Sequence, residues 1–222
     1  MTMAPNRYTW FLLLGLIALA FLARPAYGNV GEIGQIKGSG VLERDGDIVI
    51  EGNAGVGVQS MDEAVTANGT MRIDFVDETR VELTEQSRLV IDEFVYDPAN
   101  DVGSLSIKAS LGTVRYASGQ IAKKYKQNVK IRTPSATIGV RGTDFIMVVD
   151  EMGGSMITLL PSCDTAGMCY VGEIEVMTDA GFVVLNQAFQ ATQTVHGMRK
   201  PSPPVLLDLD EDQINNLLIL RK

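Results

Sequence analysis

Metal-binding and nucleophilic side chains are scarce in this sequence: one histidine, His196, and two cysteines, Cys163 and Cys169, in 222 residues. A His-rich zinc site, a four-thiolate cluster and a multi-histidine catalytic centre each need more ligands than that. Aromatic residues make up 6%, and the single tryptophan, Trp10, falls in the N-terminal apolar stretch. Sugar binding by aromatic stacking is therefore left with Tyr96, Tyr116, Tyr125 and Tyr170. Positive charge is short as well: 19 Lys and Arg against 27 Asp and Glu give a net charge of −8, which argues against nucleic acid or an anionic membrane as partner. The longest apolar run, 10–23, spans 14 residues. As a helix it would reach about 21 Å, short of the roughly 30 Å hydrocarbon core of a bilayer.

What is present begins with that run. Arg7 precedes it, and Arg24, Pro25 and the small-residue pattern Ala26-Tyr27-Gly28 follow, the layout of a secretory signal peptide. Residues 1–28 are expected to be removed between Gly28 and Asn29, leaving a periplasmic or secreted protein with no stable membrane span. No cysteine follows the run to carry a lipid anchor. Loss of Arg7 and Arg24 makes the mature chain more acidic still. In an oxidising compartment, Cys163 and Cys169, spaced C-x5-C around Gly167, are expected to form a local disulfide. Reduced thiols are the alternative, and the spacing does not suit a metal knuckle or a redox pair.

Hydrophobic residues at 45%, charged residues at 21%, 22 Gly and 8 Pro describe a folded, turn-rich domain. Short stretches of period-two alternation recur between turn residues. Strands are predicted over 71–75 and 80–83, joined by the acidic turn Asp77-Glu78-Thr79, then over 87–94, 104–109, 113–116, 129–132, 145–149, 156–160, 173–177 and 182–185. The expected class is all-β, a β-sandwich or β-roll of many short strands. Residues 53–69 stay open between helix and loop at 61–65. After Pro201-Ser202-Pro203-Pro204, the spacing of Ile214, Leu217 and Leu218 predicts a short amphipathic C-terminal helix. The chain thus divides into a leader (1–28), a β-domain (29–200) and a Pro-rich turn with helix (201–222).

The usual catalytic and ligand constellations fail on inspection. Asp208, Asp210 and Asp212 open like a calcium loop, but Gln213 stands where Gly is needed and Ile219 where a bidentate Glu is needed. Asp74, Glu82 and Asp92 alternate with apolar residues, as a solvated strand face requires, although a glycosidase pair remains an alternative. His196 has no Gly-x-Ser-x-Gly elbow to serve. No catalytic residue, metal ligand or cofactor site is assigned. Lys123, Lys124, Lys126 and Lys130, with Tyr125 among them, form the one local basic patch and the candidate electrostatic docking feature.

The segment Thr133-Pro134-Ser135-Ala136-Thr137-Ile138-Gly139-Val140-Arg141-Gly142-Thr143-Asp144-Phe145, preceded by Val129-Lys130-Ile131-Arg132, resembles the hallmark of the FecR-domain family. The turn Asp77-Glu78-Thr79 ahead of Ser87-Arg88-Leu89, then Leu111-Gly112-Thr113-Val114 and Val171-Gly172-Glu173-Ile174, extend the resemblance over 31–194. One departure is Asp77-Glu78 where the family commonly has Asp-Gly. On physical grounds Pro134 steers Thr133 away from helix, and Gly142 permits positive φ. Arg141 is then expected to fork onto carbonyls or Asp144 in a buried, turn-locking network, with partner contact as the alternative for Thr133, Pro134, Arg141, Gly142, Thr143, Asp144 and Phe145.

The resemblance implies an exported β-module that acts by binding. In the family's iron-transport regulators such a domain receives a signal from an outer-membrane receptor, and a cytoplasmic N-terminal part acts on a sigma factor. Few residues precede the apolar run here, so the expectation is a stand-alone module without that anti-sigma part. It would bind an envelope protein or polymer, with self-association left open. A carboxylate-dependent hydrolase and a purely structural β-protein are the rivals.

Overall fold

A computed structural model describes residues 28–163, 168–195, 197, 199–209 and 213. The signal-peptide reading, His196, the Asp210 and Asp212 positions and the C-terminal helix lie outside or almost wholly outside these residues. Within them the protein is all-β. Seventeen strands are present with one short helix, and fifteen of the strands share a single sheet.

One row of side chains explains why the sheet holds together. Ile33 of β1 (Gly31–Arg44) opposes Ile73 of β4 (Glu63–Phe75), which opposes Val81 of β5 (Arg80–Leu83). Val81 opposes Tyr116 of β7 (Val102–Ala117), Tyr116 opposes Phe145 of β10 (Asp144–Val149), and Phe145 opposes Leu159 of β11 (Ser155–Leu160). All six are buried, and the Tyr116 and Phe145 rings lie 5.3 Å apart. Alternation places every second residue of each strand on this face, and each fully buried aliphatic contributes about 1.5–3 kcal/mol.

Strand β7 is the trunk from which the sheet forks. Its first part pairs with β6 (Arg88–Asp97) on one side and with β8 (Val129–Arg132) on the other. Its last part pairs with β5 and β10. One branch continues through β8, β9 (Thr137–Arg141), β14 (Glu173–Thr178) and β15 (Gly181–Leu185); the other runs through β10, β11, β16 (Gln190–Thr194) and β17 (Val205–Leu206). Ile131, Ile138, Ile174 and Val176 of the first branch and Met147, Val149 and Ile157 of the second fall in one buried cluster. The two branches of one sheet therefore share one core. Pairing of β7 with β8 is parallel and needs a crossover. The crossover holds helix α1 (Gln120–Lys124), which buries Ile121 and Ala122.

Two expectations about strand lengths are corrected. The stretches 104–109 and 113–116 are parts of one strand, β7, carried through a bulge. Opposite Arg88 and Leu89 the register passes from Leu111 to Ala109, leaving Ser110 unpaired. Gly112 takes φ +85°, and the Thr113 N–H donates to Ser87 Oγ at 3.1 Å in place of a ladder bond. Residues 61–65 are neither helix nor loop throughout: β4 begins at Glu63. Its neighbour β1 escapes the period-two reading because register shifts around Gly34 and near Gly38 break the alternation. At Gly38 (φ +79°) a Cβ would lie 1.9 Å from the Asn68 carbonyl oxygen.

Candidate binding surface

The hallmark segment turns out to be mostly internal framework. Residues 133–136 form the turn between β8 and β9, closed by Thr133 N–H donating to the Ala136 carbonyl at 2.8 Å and Ala136 N–H donating to Thr133 Oγ1 at 3.1 Å. Hydroxyls then tie this turn to the other branch of the sheet. Ser135 Oγ lies 3.0 Å from Ser155 Oγ and 2.7 Å from Thr194 Oγ1, and Ser155 Oγ donates to Thr133 Oγ1 at 2.8 Å. Pro134 is exposed at the tip. Gly142 takes φ +64°, which lets Thr143 turn inward; its N–H donates to Ser118 Oγ at 2.9 Å, and Ser118 Oγ donates to its carbonyl at 2.6 Å. Thr143, Asp144 and Phe145 are all buried.

Arg141 is the exception, and its expected role is corrected. It stands on the outer face of β9 with 44% of its side chain exposed, 2.5 Å from Glu173 and 3.6 Å from Glu175 on β14. Residue 140 is Val and buried, so strand alternation sends residue 141 to solvent. A buried ion pair is found at other positions, which the sequence reading passed over. Asp62 is fully buried and accepts from Arg44 Nε and Nη2, both at 2.7 Å, and from the Gln59 N–H at 2.8 Å. An isolated Asp in an undecided segment gave no periodic signal; the only hint was the Arg at the end of the strand before it.

The acidic turn between β4 and β5 is also deeper than its composition suggests. Asp77 is fully buried and accepts from the Thr79 N–H (3.1 Å), Thr79 Oγ1 (2.9 Å) and the Ile121 N–H (3.0 Å). It thereby anchors α1 to the turn. Beside it, burial first and then the negative charge of Asp77 push the Tyr116 hydroxyl's pKa well above the usual tyrosine value. Glu78 adopts φ +68°, the conformation that glycine would take at no steric cost.

The lysine patch is divided by the fold. Lys123, Lys124 and Lys126 are exposed around the end of α1. Lys124 pairs with Asp101 at 2.5 Å, and Tyr125 Oη donates to the same carboxylate at 3.2 Å. Lys130 is on β8, where with Arg132 it lines a groove of about 220 Å³ together with Asp92, Glu93, Ser104, Ser106, Gln127 and Asn128. Asp92 accepts from Lys108, from Ser106 Oγ at 3.0 Å and from Arg132 Nη1 at 3.2 Å. The Lys108 bond, above all, holds the Asp92 carboxyl below its ordinary pKa.

The three strand carboxylates do not form an acid and nucleophile pair. Burial raises the pKa of Glu82, which opposes Arg115 on β7, whereas Asp92 bonds Ser106 on the same strand. Nine residues of extended chain separate those two partners, roughly 30 Å, against the 5–10 Å that glycoside hydrolysis uses. Asp74 instead pairs with Arg72 at 2.9 Å and Arg80 at 3.3 Å. No group of three or more His, Cys, Asp or Glu suited to a metal occurs among the described residues, and Asp208 is exposed. Cys163 and Cys169 are joined in a disulfide that closes the separate ribbon β12 (Ser162–Cys163) and β13 (Cys169–Tyr170).

Residues 62–161 match the family model described as FecR protein, a narrower span than the resemblance over 31–194. No curated protein matches the chain. Two crystal structures of candidate anti-sigma factors from Parabacteroides distasonis ATCC 8503 are similar, with TM-scores of 0.49 and 0.48 and sequence identities of 14% and 15%. The matches cover 65% and 72% of this chain and 58% and 64% of those chains, so the chain spans less than two thirds of the length of either.

Proposed function

We propose that this chain, whose residues 62–161 match the family model described as FecR protein, is an exported, non-enzymatic module of the cell envelope that senses a signal by binding another envelope component. On this reading 1–28 is cleaved as a leader, 29–200 binds, and 201–222 contributes a turn and a C-terminal helix. The observation that carries the reading is how the conspicuous side chains are used. Thr133, Ser135 and Thr143 spend their hydroxyls within the fold, Asp77 and Asp62 are consumed by backbone and arginine partners, and the strand carboxylates stand apart. Activity is then left to surfaces, and the distinctive ones on an acidic protein are the two basic clusters, one at the end of α1 and one on β8.

In-cell crosslinking through Lys123, Lys124, Lys126 and Lys130, followed by mass spectrometry, tests this. One reproducible envelope component is the expected product. Turnover of peptidoglycan or polysaccharide by the purified protein, abolished by one carboxylate substitution, would overturn it; self-assembly with no other component captured would favour a structural role. Export is checked separately by N-terminal sequencing: the mature chain begins at Asn29 and lacks Trp10.

A further inference from the structure

The outer face of β6, β7 and β8 carries a feature that folding alone does not require. Opposite the register step from Ile107 to Ser106, strand β6 passes from Ile91 to Glu93, so Asp92 is the extra residue of a bulge. A bulge re-aims its side chain, and here the carboxylate reaches across β7 to bond Ser106, Lys108 and Arg132. Parallel pairing sets Lys130 beside Ser106 and Arg132 beside Lys108. Lys130 and Arg132, two residues apart on one strand, project from the same face about 7 Å apart. Lys108, Lys130 and Arg132 thus share this face with two carboxylates: Asp92 takes Lys108 and Arg132, Glu93 accepts from Ser104 Oγ at 2.7 Å, and Lys130 forms no ion pair among the described residues.

We propose that this groove binds an acidic saccharide, one carboxylate-bearing sugar residue at a time, with Lys130 and Arg132 holding the carboxylate and Gln127, Asn128 and Ser104 meeting ring hydroxyls. The inference rests on the reading of the chain as an envelope-binding module and names its ligand class. The lining favours a saccharide over a protein surface. Protein interfaces rely on buried aromatic or aliphatic anchors, whereas Leu105, itself buried at 1% exposure, is the single apolar residue lining this groove. At about 220 Å³ the space is below the 300–1,000 Å³ of drug-sized sites, which suits one unit of a polymer crossing an open groove. Arg132 is the group whose planar fork matches a carboxylate, while Lys130 acts as a point charge. Asp92 is a positioning residue that keeps Lys108 and Arg132 upright without neutralising Lys130.

The test is calorimetric binding of polygalacturonate to the mature chain, with neutral dextran and poly-glutamate as comparison polymers, at low and physiological salt. Polygalacturonate is expected to bind, dextran not to bind, and poly-glutamate to bind more weakly because it offers no ring hydroxyls. Arg132→Ala and Lys130→Ala should each weaken binding about tenfold or more, whereas Lys123→Ala, outside the groove, should change it less than about twofold. Gln127→Ala, which leaves every charge in place, should weaken polygalacturonate but not poly-glutamate. Equal binding of both acids, or equal sensitivity to Lys123→Ala, would overturn the saccharide assignment in favour of unspecific charge attraction. Failure of polygalacturonate to bind while crosslinking still captures an envelope protein would overturn this inference and leave the module reading standing.

Discussion

Arg44 and Arg141 make the same chemical pair in opposite surroundings. Arg44 clasps a carboxylate with no exposed surface, and Arg141 reaches across the outer face of two strands to Glu173, which is 35% exposed. The arginine inside segment 133–145, where the resemblance is strongest, is the exposed one. The arginine that no motif marks closes the buried pair, at the far end of β1. Motif prominence and burial therefore separate for the two arginines: the turns of segment 133–145 are held by hydroxyls and glycines, and Arg141 within it faces solvent, while Arg44 outside it meets a fully buried carboxylate.

The largest effect should come from Asp62→Ala. It takes the carboxylate from the Gln59 N–H and from the Arg44 guanidinium, and removing one partner of a buried pair costs about 3 kcal/mol, the low end of the usual range because Arg44 is 21% exposed and keeps its bond to the Gly57 carbonyl. Urea unfolding monitored by circular dichroism reads this as a lower midpoint with an unchanged slope. If Asp62→Ala and Arg141→Ala unfold at the same urea concentration, the contrast between the two arginines is void.

Asp77→Ala comes next, at about 2 kcal/mol. It removes the acceptor for three donors, two of them backbone N–H groups without water access, and frees α1 from the turn. Hydrogen exchange should show the Ile121 amide losing protection before the strand amides of β4 and β7 do. Protection of Ile121 at the wild-type level would mean that the helix is held without the Asp77 carboxylate, by its buried Ile121 and Ala122 and by the Gln120 N–H bond to the Asp77 carbonyl.

How much of this was legible in the sequence follows from the physics of each element. The strands at 71–75 and 80–83 and their turn were readable because period-two alternation survives where one face is buried and the other wet. The length of β7 was hidden by its bulge at Ser110, and β1 by glycine-rich register shifts, since both break the period. The Cys163 and Cys169 pairing was expected from their spacing taken together with the expected export. Arg141 was misassigned because a charged residue flanked by glycine invites a turn-locking role, and only the register with β14 sends it outward. Asp62 and Ser118 were invisible, because their partners lie 18 and 25 residues away and no local pattern announces them.

Glu78→Gly sharpens the comparison from the stabilising side. Glu78 holds φ +68°, where a side chain costs roughly 1 kcal/mol relative to glycine, and its exposed carboxylate accepts from Gln120 Nε2 at 2.6 Å. Loss of that exposed bond and the greater freedom of glycine in the unfolded chain offset part of the gain. A net stabilisation of about 0.5 kcal/mol is expected by the same urea measurement. A destabilised variant would mean that the Gln120 contact, and with it the link from turn to helix, outweighs backbone strain.

An effect as small, of opposite sign, is expected from Arg141→Ala. Its partners Glu173 and Glu175 are both partly exposed, and exposed pairs contribute about 0–1 kcal/mol because water screens the attraction and long side chains lose freedom in holding it. The substitution also leaves two carboxylates side by side on β14 without their cation. A cost of about 0.5 kcal/mol is expected, falling toward zero in 0.5 M salt as their repulsion is screened. Lysine should serve nearly as well as arginine here, in contrast to Arg44→Lys, which breaks a bidentate clasp on a buried carboxylate. Should Arg141→Ala instead cost as much as Asp62→Ala and resist salt, the outer face of β9 and β14 would have to be a covered surface, and the hallmark arginine would regain the structural role that its exposure denies it.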